Sequence, residues 1–176
     1  MKKTILAAAV LLLLLSLCAC GLSEEELRER AIDQLNKNSD LPYALTLPKA
    51  ELGDASAYWQ GGGWGCESIY DDDIDMLLSG YPDCLDEYHI TEIHLLTPKY
   101  SIFGLRVGDA PERAGELLEP KGYELVPDVR GWGVEAYYLK DGVFLHLEFG
   151  YQEDGQQVIS GLTAYVLTTN VENVDF

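Results

Sequence analysis

The sequence is poor in positive charge. Twelve lysines and arginines face 30 aspartates and glutamates, for a formal net charge of −18. Phosphate backbones and anionic lipid headgroups repel such a surface, which argues against a nucleic-acid partner and against membrane attachment through a polybasic patch. The chain also lacks an apolar run of the roughly 20 residues needed for a helix to cross a bilayer. Its longest run, Ile5 to Leu17, is broken at Ser16 and leaves only a short uncleaved anchor as an alternative to a removable leader. No G-x-S-x-G, H-E-x-x-H or Cys-His signature is present, so no hydrolytic chemistry is announced by motif. Cysteine is scarce, at four residues, and neither Cys66 nor Cys84 has a second Cys or His at zinc-ligand spacing. No cofactor or resident metal is expected.

What the chain does have begins at its start. Lys2 and Lys3 precede the apolar run, and an acidic stretch, Ser23-Glu24-Glu25-Glu26, follows it. That is the layout of a bacterial secretory signal. The run ends in Leu17-Cys18-Ala19-Cys20, which resembles the lipobox of bacterial lipoproteins. The resemblance implies that residues 1–19 are a leader, that Cys20 takes a diacylglycerol and becomes the first mature residue, and that Cys18 leaves with the leader. One acyl chain anchors only marginally, whereas two or three hold stably. Loss of Lys2 and Lys3 leaves 10 basic residues against 30 acidic, a balance of −20. The expected location is the outer face of the cytoplasmic membrane, or an outer membrane if the host has one.

The mature 157 residues suffice for one domain, read as 41–176, behind a lipidated segment, 20–40. Ser23 and Glu26 form a capping box, and Leu27, Ala31, Ile32 and Leu35 make an apolar stripe, so 23–37 is predicted to be a short amphipathic helix. It is either a spacer or an element docked on the body. From Leu41 to Gly65 the pattern loosens. Trp59 and Trp64 bracket a glycine-rich stretch that either flanks a ligand groove or turns between two strands. Gly65 is followed by Cys66-Glu67-Ser68, which excludes a phosphate loop. Cys66 and Cys84 either bridge, closing an irregular acidic segment, or stay reduced. Asp71, Asp73 and Asp75 mimic the start of a calcium loop, but Met76 and Pro82 stand where Gly and Glu are required. A solvated acidic loop or weak divalent binding remains for them. Residues 89–96 read as a strand whose alternation turns His89 away from Glu92 and His94.

The second half is more regular. Asp109 is predicted to cap a helix through Pro111 and Glu112, with Leu117 and Leu118 inward and Pro120 at its end. Strands are expected at 122–127, 134–140, 143–150 and 157–167, with a tight turn at Asp141-Gly142. In the third of these, Val143, Leu145, Leu147 and Phe149 face inward while Phe144, His146 and Glu148 alternate with them. The last strand is apolar on both sides and should be central. The fold class is therefore α+β: a short helix packed on an antiparallel sheet with a C-terminal three-strand meander, plus the N-terminal helix.

The entrance Gly104-Leu105-Arg106-Val107-Gly108-Asp109 resembles the G-[IL]-x-[IV]-G-[DS] repeat of small bacterial envelope lipoproteins. Those proteins are related in fold to the β-lactamase inhibitor protein and to the small lipoprotein of the barrel assembly machinery. The likeness extends to uncharacterised lipoproteins of Gram-positive anaerobes, covers roughly residues 45–167 and implies no catalytic residue. The expected function is that of a binding or scaffolding module, attached to the membrane by its acyl chains and facing an unidentified envelope or secreted protein. Trp59, Trp64, Trp132 and the run Glu135-Ala136-Tyr137-Tyr138 are its candidate contacts. Two alternatives accompany this reading: an inhibitor or sensor of an envelope enzyme, and a hydrolase using Asp71 to Asp75, Glu92 with His94, or His146 with Glu148.

Overall fold

The computed structural model describes residues 21–53, 60–63, 66–70, 72–80, 88–127 and 134–166. The described residues form a mixed α+β fold on one antiparallel sheet of eight strands: β1 (Gln60–Gly63), β2 (Cys66–Tyr70), β3 (Ile74–Gly80), β4 (Tyr88–Leu95), β5 (Glu124–Val126), β6 (Glu135–Lys140), β7 (Val143–Tyr151) and β8 (Gln157–Val166). Their spatial order is β1-β2-β3-β4-β8-β7-β6-β5. The sheet is thus two meanders that meet where β4 pairs with β8. Both central strands are rich in Ile, Leu, Val and aromatic residues, which suit a pleated, largely covered surface.

Among the described residues, two α-helices cover one face. Helix α1 (Glu24–Asn38) has its capping box in place: the Glu26 N–H donates to Ser23 Oγ at 3.2 Å, and the Ser23 N–H donates to Glu26 Oε2 at 2.8 Å. These bonds satisfy two of the amides that a helix start leaves unpaired. Its stripe Ala31, Ile32 and Leu35 lies in the same buried cluster as Leu145, Leu147, Leu162 and Ala164 of the sheet. The helix is therefore docked on the sheet through that stripe. Past the helix, Asn36 clamps the chain: Leu45 N–H donates to its Oδ1 at 2.8 Å, and its Nδ2 donates to the Leu45 carbonyl at 3.0 Å.

Helix α2 (Glu112–Leu118) buries Ala114 and Leu118 in that cluster. Here the predicted cap differs. Pro111 occupies the cap position and no side chain caps the helix. The Asp109 carboxylate instead accepts from the Arg106 N–H at 2.9 Å and from Arg113 Nη1 at 3.1 Å, tightening the loop before the helix. That loop is pinned to the sheet by the Gly108 N–H on the Ile159 carbonyl at 2.8 Å and the Ile159 N–H on the Asp109 carbonyl at 2.9 Å. Gly108 sits at φ 94°, so the second glycine of the motif serves a left-handed turn. Pro120 does not stop the chain's winding. A 3₁₀ turn carries through Glu119–Lys121, and Gly122, at φ 86°, ends it.

Part of the segment expected to be irregular belongs to the sheet: β2 and β3 pair antiparallel, with Cys66 opposite Ser79 and Tyr70 opposite Asp75. Asp73 stands between the two strands, where its carboxylate is held by Lys99 and by Thr97 Oγ1. These hydrogen bonds, with the lysine's charge, keep Asp73 below the usual carboxylate range.

Candidate functional site: the non-core face of the sheet

Strand alternation divides each strand between two faces. On β7, Val143, Leu145 and Leu147 enter the core under the helices, so Phe144, His146 and Glu148 stand on the opposite side. The register then assembles rows across that side. His94 lies opposite Asp75 on β3 and opposite Thr163 on β8; Thr163 lies opposite His146 on β7, which lies opposite Tyr137 on β6. At about 4.8 Å per strand, this row of five spans roughly 19 Å. A second row beside it reads Leu77, Glu92, Tyr165, Phe144 and Leu139. A third holds Gly161, Glu148 and Glu135.

The side chains of these rows interact. The Tyr137 and His146 rings stack with centroids 4.4 Å apart, and those of Phe144 and Tyr165 with centroids 5.0 Å apart. Tyr137 Oη donates to Glu135 Oε2 at 3.0 Å, and His146 Nε2 lies 3.1 Å from the same oxygen. Phe144 and Thr163 are buried, Glu92, His94, His146 and Tyr165 half-buried, and Glu148 exposed. Burial pushes the Glu92 carboxyl above the usual range. The nearby His94 opposes that shift, Asp75 adds to it and His146 opposes it. The Tyr165 hydroxyl is pushed up to about 12, mainly by burial and then by Tyr137 and Glu92.

Two bulges flank this cluster. One falls where Leu77 pairs with Glu92 but Leu78 with Ile90, leaving Thr91 as the extra residue of β4. It resets the alternation and places His89 opposite Ser79, on the side of Glu92, contrary to the strict two-residue period. The other leaves Ser160 extra on β8, next to Gly161. Bulges re-aim side chains and are frequent beside sites.

Two of the carboxylate–histidine pairs singled out in the sequence, Glu92 with His94 and His146 with Glu148, are thus brought to one face, and Asp75 joins them. Asp73 does not join; it faces Lys99 between β2 and β3. Cys66 lies on β2 by its backbone. Cys20, Trp59, Trp64, Asp71, Cys84 and Trp132 lie outside the described residues. Among the described residues, no three His, Cys, Asp or Glu side chains gather as metal ligands, and no helix is long and apolar enough to cross a membrane. A cleft of about 350 Å³ beside α1, lined by Glu29, Arg30, Ile32, Asp33 and Thr46, holds none of the sequence candidates. Tyr165, Thr163 and Gly161 escaped sequence reasoning because β8 reads as apolar on both sides. No protein-family model, no curated protein and no solved structure matches this chain.

Proposed function

We propose that this chain is a lipid-anchored extracytoplasmic binding module that engages an envelope or secreted protein through the non-core face of its sheet, without catalysis. The observation that carries the reading is the segregation of the two faces. Both helices pack on one side, while strands β3, β4, β8, β7 and β6 present Asp75, Glu92, His94, Thr163, Tyr165, His146, Glu148, Glu135 and Tyr137 on the other. Stacked aromatics and hydrogen-bonding side chains on a rigid sheet are suited to recognition.

The tether is short in this reading. Only Gly21, Leu22 and Ser23 separate the lipobox Cys20 from α1. Three extended residues span about 10 Å, so the body would sit against the bilayer and its partner would be membrane-proximal. Cys20→Ser is expected to move the protein from membranes to the soluble fraction; unchanged retention would sink the anchor. Capture of a defined protein from envelope extracts by the soluble body, lost when the non-core face is altered, tests the binding role.

A second reading, a hydrolase, is favoured by one observation. Glu92 keeps its proton to a higher pH than an ordinary glutamate within the same cluster as His94, Asp75 and His146, as a general acid does. Turnover in a hydrolase screen that vanishes in His94→Ala would replace the binding module by an enzyme.

A further inference from the structure

The cleft beside α1 is separate from the sheet face described above. It measures about 350 Å³ and is lined by Glu29, Arg30, Ile32, Asp33 and Thr46, a size at the lower end of small-molecule sites. Glu29, Arg30 and Asp33 are exposed, Thr46 is half-buried and Ile32 is buried. The charged groups can therefore meet a solute, while the apolar floor belongs to the buried stripe of the helix. At about 3.6 residues per turn, Glu29 and Asp33 stand one above the other on α1, with Arg30 beside them. One side of the helix thus offers carboxylates and a guanidinium to the same opening.

The other wall is strained. Thr46 sits at φ 69°, a left-handed conformation that a β-branched residue adopts only under constraint. The constraint is visible on both sides of it. Leu45 is gripped by Asn36 through its N–H and its carbonyl. The Thr46 N–H donates to the Ile90 carbonyl at 2.8 Å, and the Leu47 carbonyl accepts from the Ile90 N–H at 3.0 Å. A glycine would hold this backbone without strain, so the strain comes with placing a threonine side chain at the cleft. Strain fixed in this way by its surroundings is typical of ligand clamps. The wall is also set before any ligand arrives, so binding need not order it. Asp33 is engaged by Lys37 at 2.7 Å, but both side chains are exposed, and such a pair contributes little and yields to a better-placed partner.

We infer that this cleft binds a small zwitterion, with its amine against the Glu29 and Asp33 carboxylates, its anionic end on the Arg30 guanidinium, and Thr46 Oγ1 hydrogen-bonded between them. A guanidinium holds a carboxylate or phosphate through parallel N–H donors, and the carboxylates accept from an ammonium group. A simple cation would meet Arg30 and a simple anion would meet the carboxylates, so only a ligand carrying both charges uses the whole set. The site lies apart from the sheet face and stands independently of the binding-module reading.

Such a ligand exists both as a free solute and as a phospholipid headgroup, and the test separates the two. The full-length Cys20→Ser protein is titrated calorimetrically with O-phosphoethanolamine, ethanolamine and inorganic phosphate at about 150 mM salt, where long-range attraction is screened. The zwitterion is expected to bind at least tenfold more tightly than either half. Glu29→Gln and Arg30→Gln, both at exposed positions, should each weaken it at least tenfold. Thr46→Val, which keeps the branched shape and removes the hydroxyl, should weaken it about fivefold. Glu153→Gln, the same charge change outside the cleft, should alter it less than about twofold. Co-sedimentation with phosphatidylethanolamine vesicles that is lost in Glu29→Gln would make the ligand a headgroup; binding of the free compound alone would make it a solute. Thermal melts establish that each variant is folded, and if Thr46→Val is not, the Glu29 and Arg30 variants decide. Equal affinity for the zwitterion and one of its halves, unaltered binding in Glu29→Gln and Arg30→Gln, equal weakening by the Glu153 control, or no binding by the parent protein would each overturn the inference. Capture of an envelope partner through the sheet face would be unaffected by any of these outcomes, and failure of that capture would remove the binding module while leaving the cleft.

Discussion

Whether α1 belongs to the body or merely links it to the membrane is decided by Leu35→Ala. Leu35 is fully buried and shares its cluster with the sheet. Truncation removes the equivalent of three methylenes, worth about 2.4 kcal/mol at roughly 0.8 kcal/mol each. The cavity left under a helix that cannot fully collapse onto the sheet raises the total to about 3–4 kcal/mol. For a body of this size, with an unfolding entropy near 0.3 kcal/mol per kelvin, that corresponds to a fall in Tm of about 10 °C. Urea unfolding of the Cys20→Ser protein, followed by far-UV circular dichroism, measures the difference directly. A loss below about 1 kcal/mol would refute the reasoning, since the helix would then leave the sheet at little cost. The body would gain the reach of an undocked 15-residue segment, and the inference that its partner lies close to the membrane would go with it.

Three further outcomes are expected. Asn36→Ala strands the buried Leu45 N–H and carbonyl, and should cost about 2–4 kcal/mol in the same urea experiment. Gly142→Ala forces alanine to φ 78° in the β6–β7 turn and brings a Cβ to 2.9 Å from Arg28 Nε; a loss of about 1–2 kcal/mol is expected by thermal or chemical unfolding. Glu92→Gln should raise stability at neutral pH. With its folded value above the ordinary 4.5, Glu92 in the folded state holds a proton that the unfolded chain has released, so stability falls as pH rises through that interval. The Tm difference between variant and parent should therefore grow from pH 4.5 upward and then level off; a variant less stable at pH 7 would show that the ionised carboxylate is held by partners.

The features legible in the sequence are those set by residues close along the chain. Ser23 and Glu26 meet because a helix start brings positions three apart together. Asp141 and Gly142 adopt φ 47° and 78° because these residue types tolerate that turn. The β2–β3 pair was hidden because Asp72, Asp73 and Asp75 depress strand propensity, while pairing with β4 and burial of Ile74, Met76 and Leu78 override it. Asp109 carries the signal of a helix cap, but Arg106 and Arg113 compete for its oxygens. Strict alternation sent His89 to the wrong face, because a bulge is a property of two strands and cannot be counted on one.

The candidate site shows the same limit most sharply. Glu92 with His94 and His146 with Glu148 were visible as pairs, since each lies within one strand. Their convergence depends on β8 lying between β4 and β7 in a register that places Thr163 between the two histidines. Nothing in β8 itself announces that role, because a strand apolar on both sides shows only that it is central. Gly161 read alone is a weak strand residue. Only Glu148 and His94, leaning over it from β7 and β4, show that a side chain there would collide with both, so a position whose own chemistry is blank is what lets the two carboxylate–histidine pairs close up on this face.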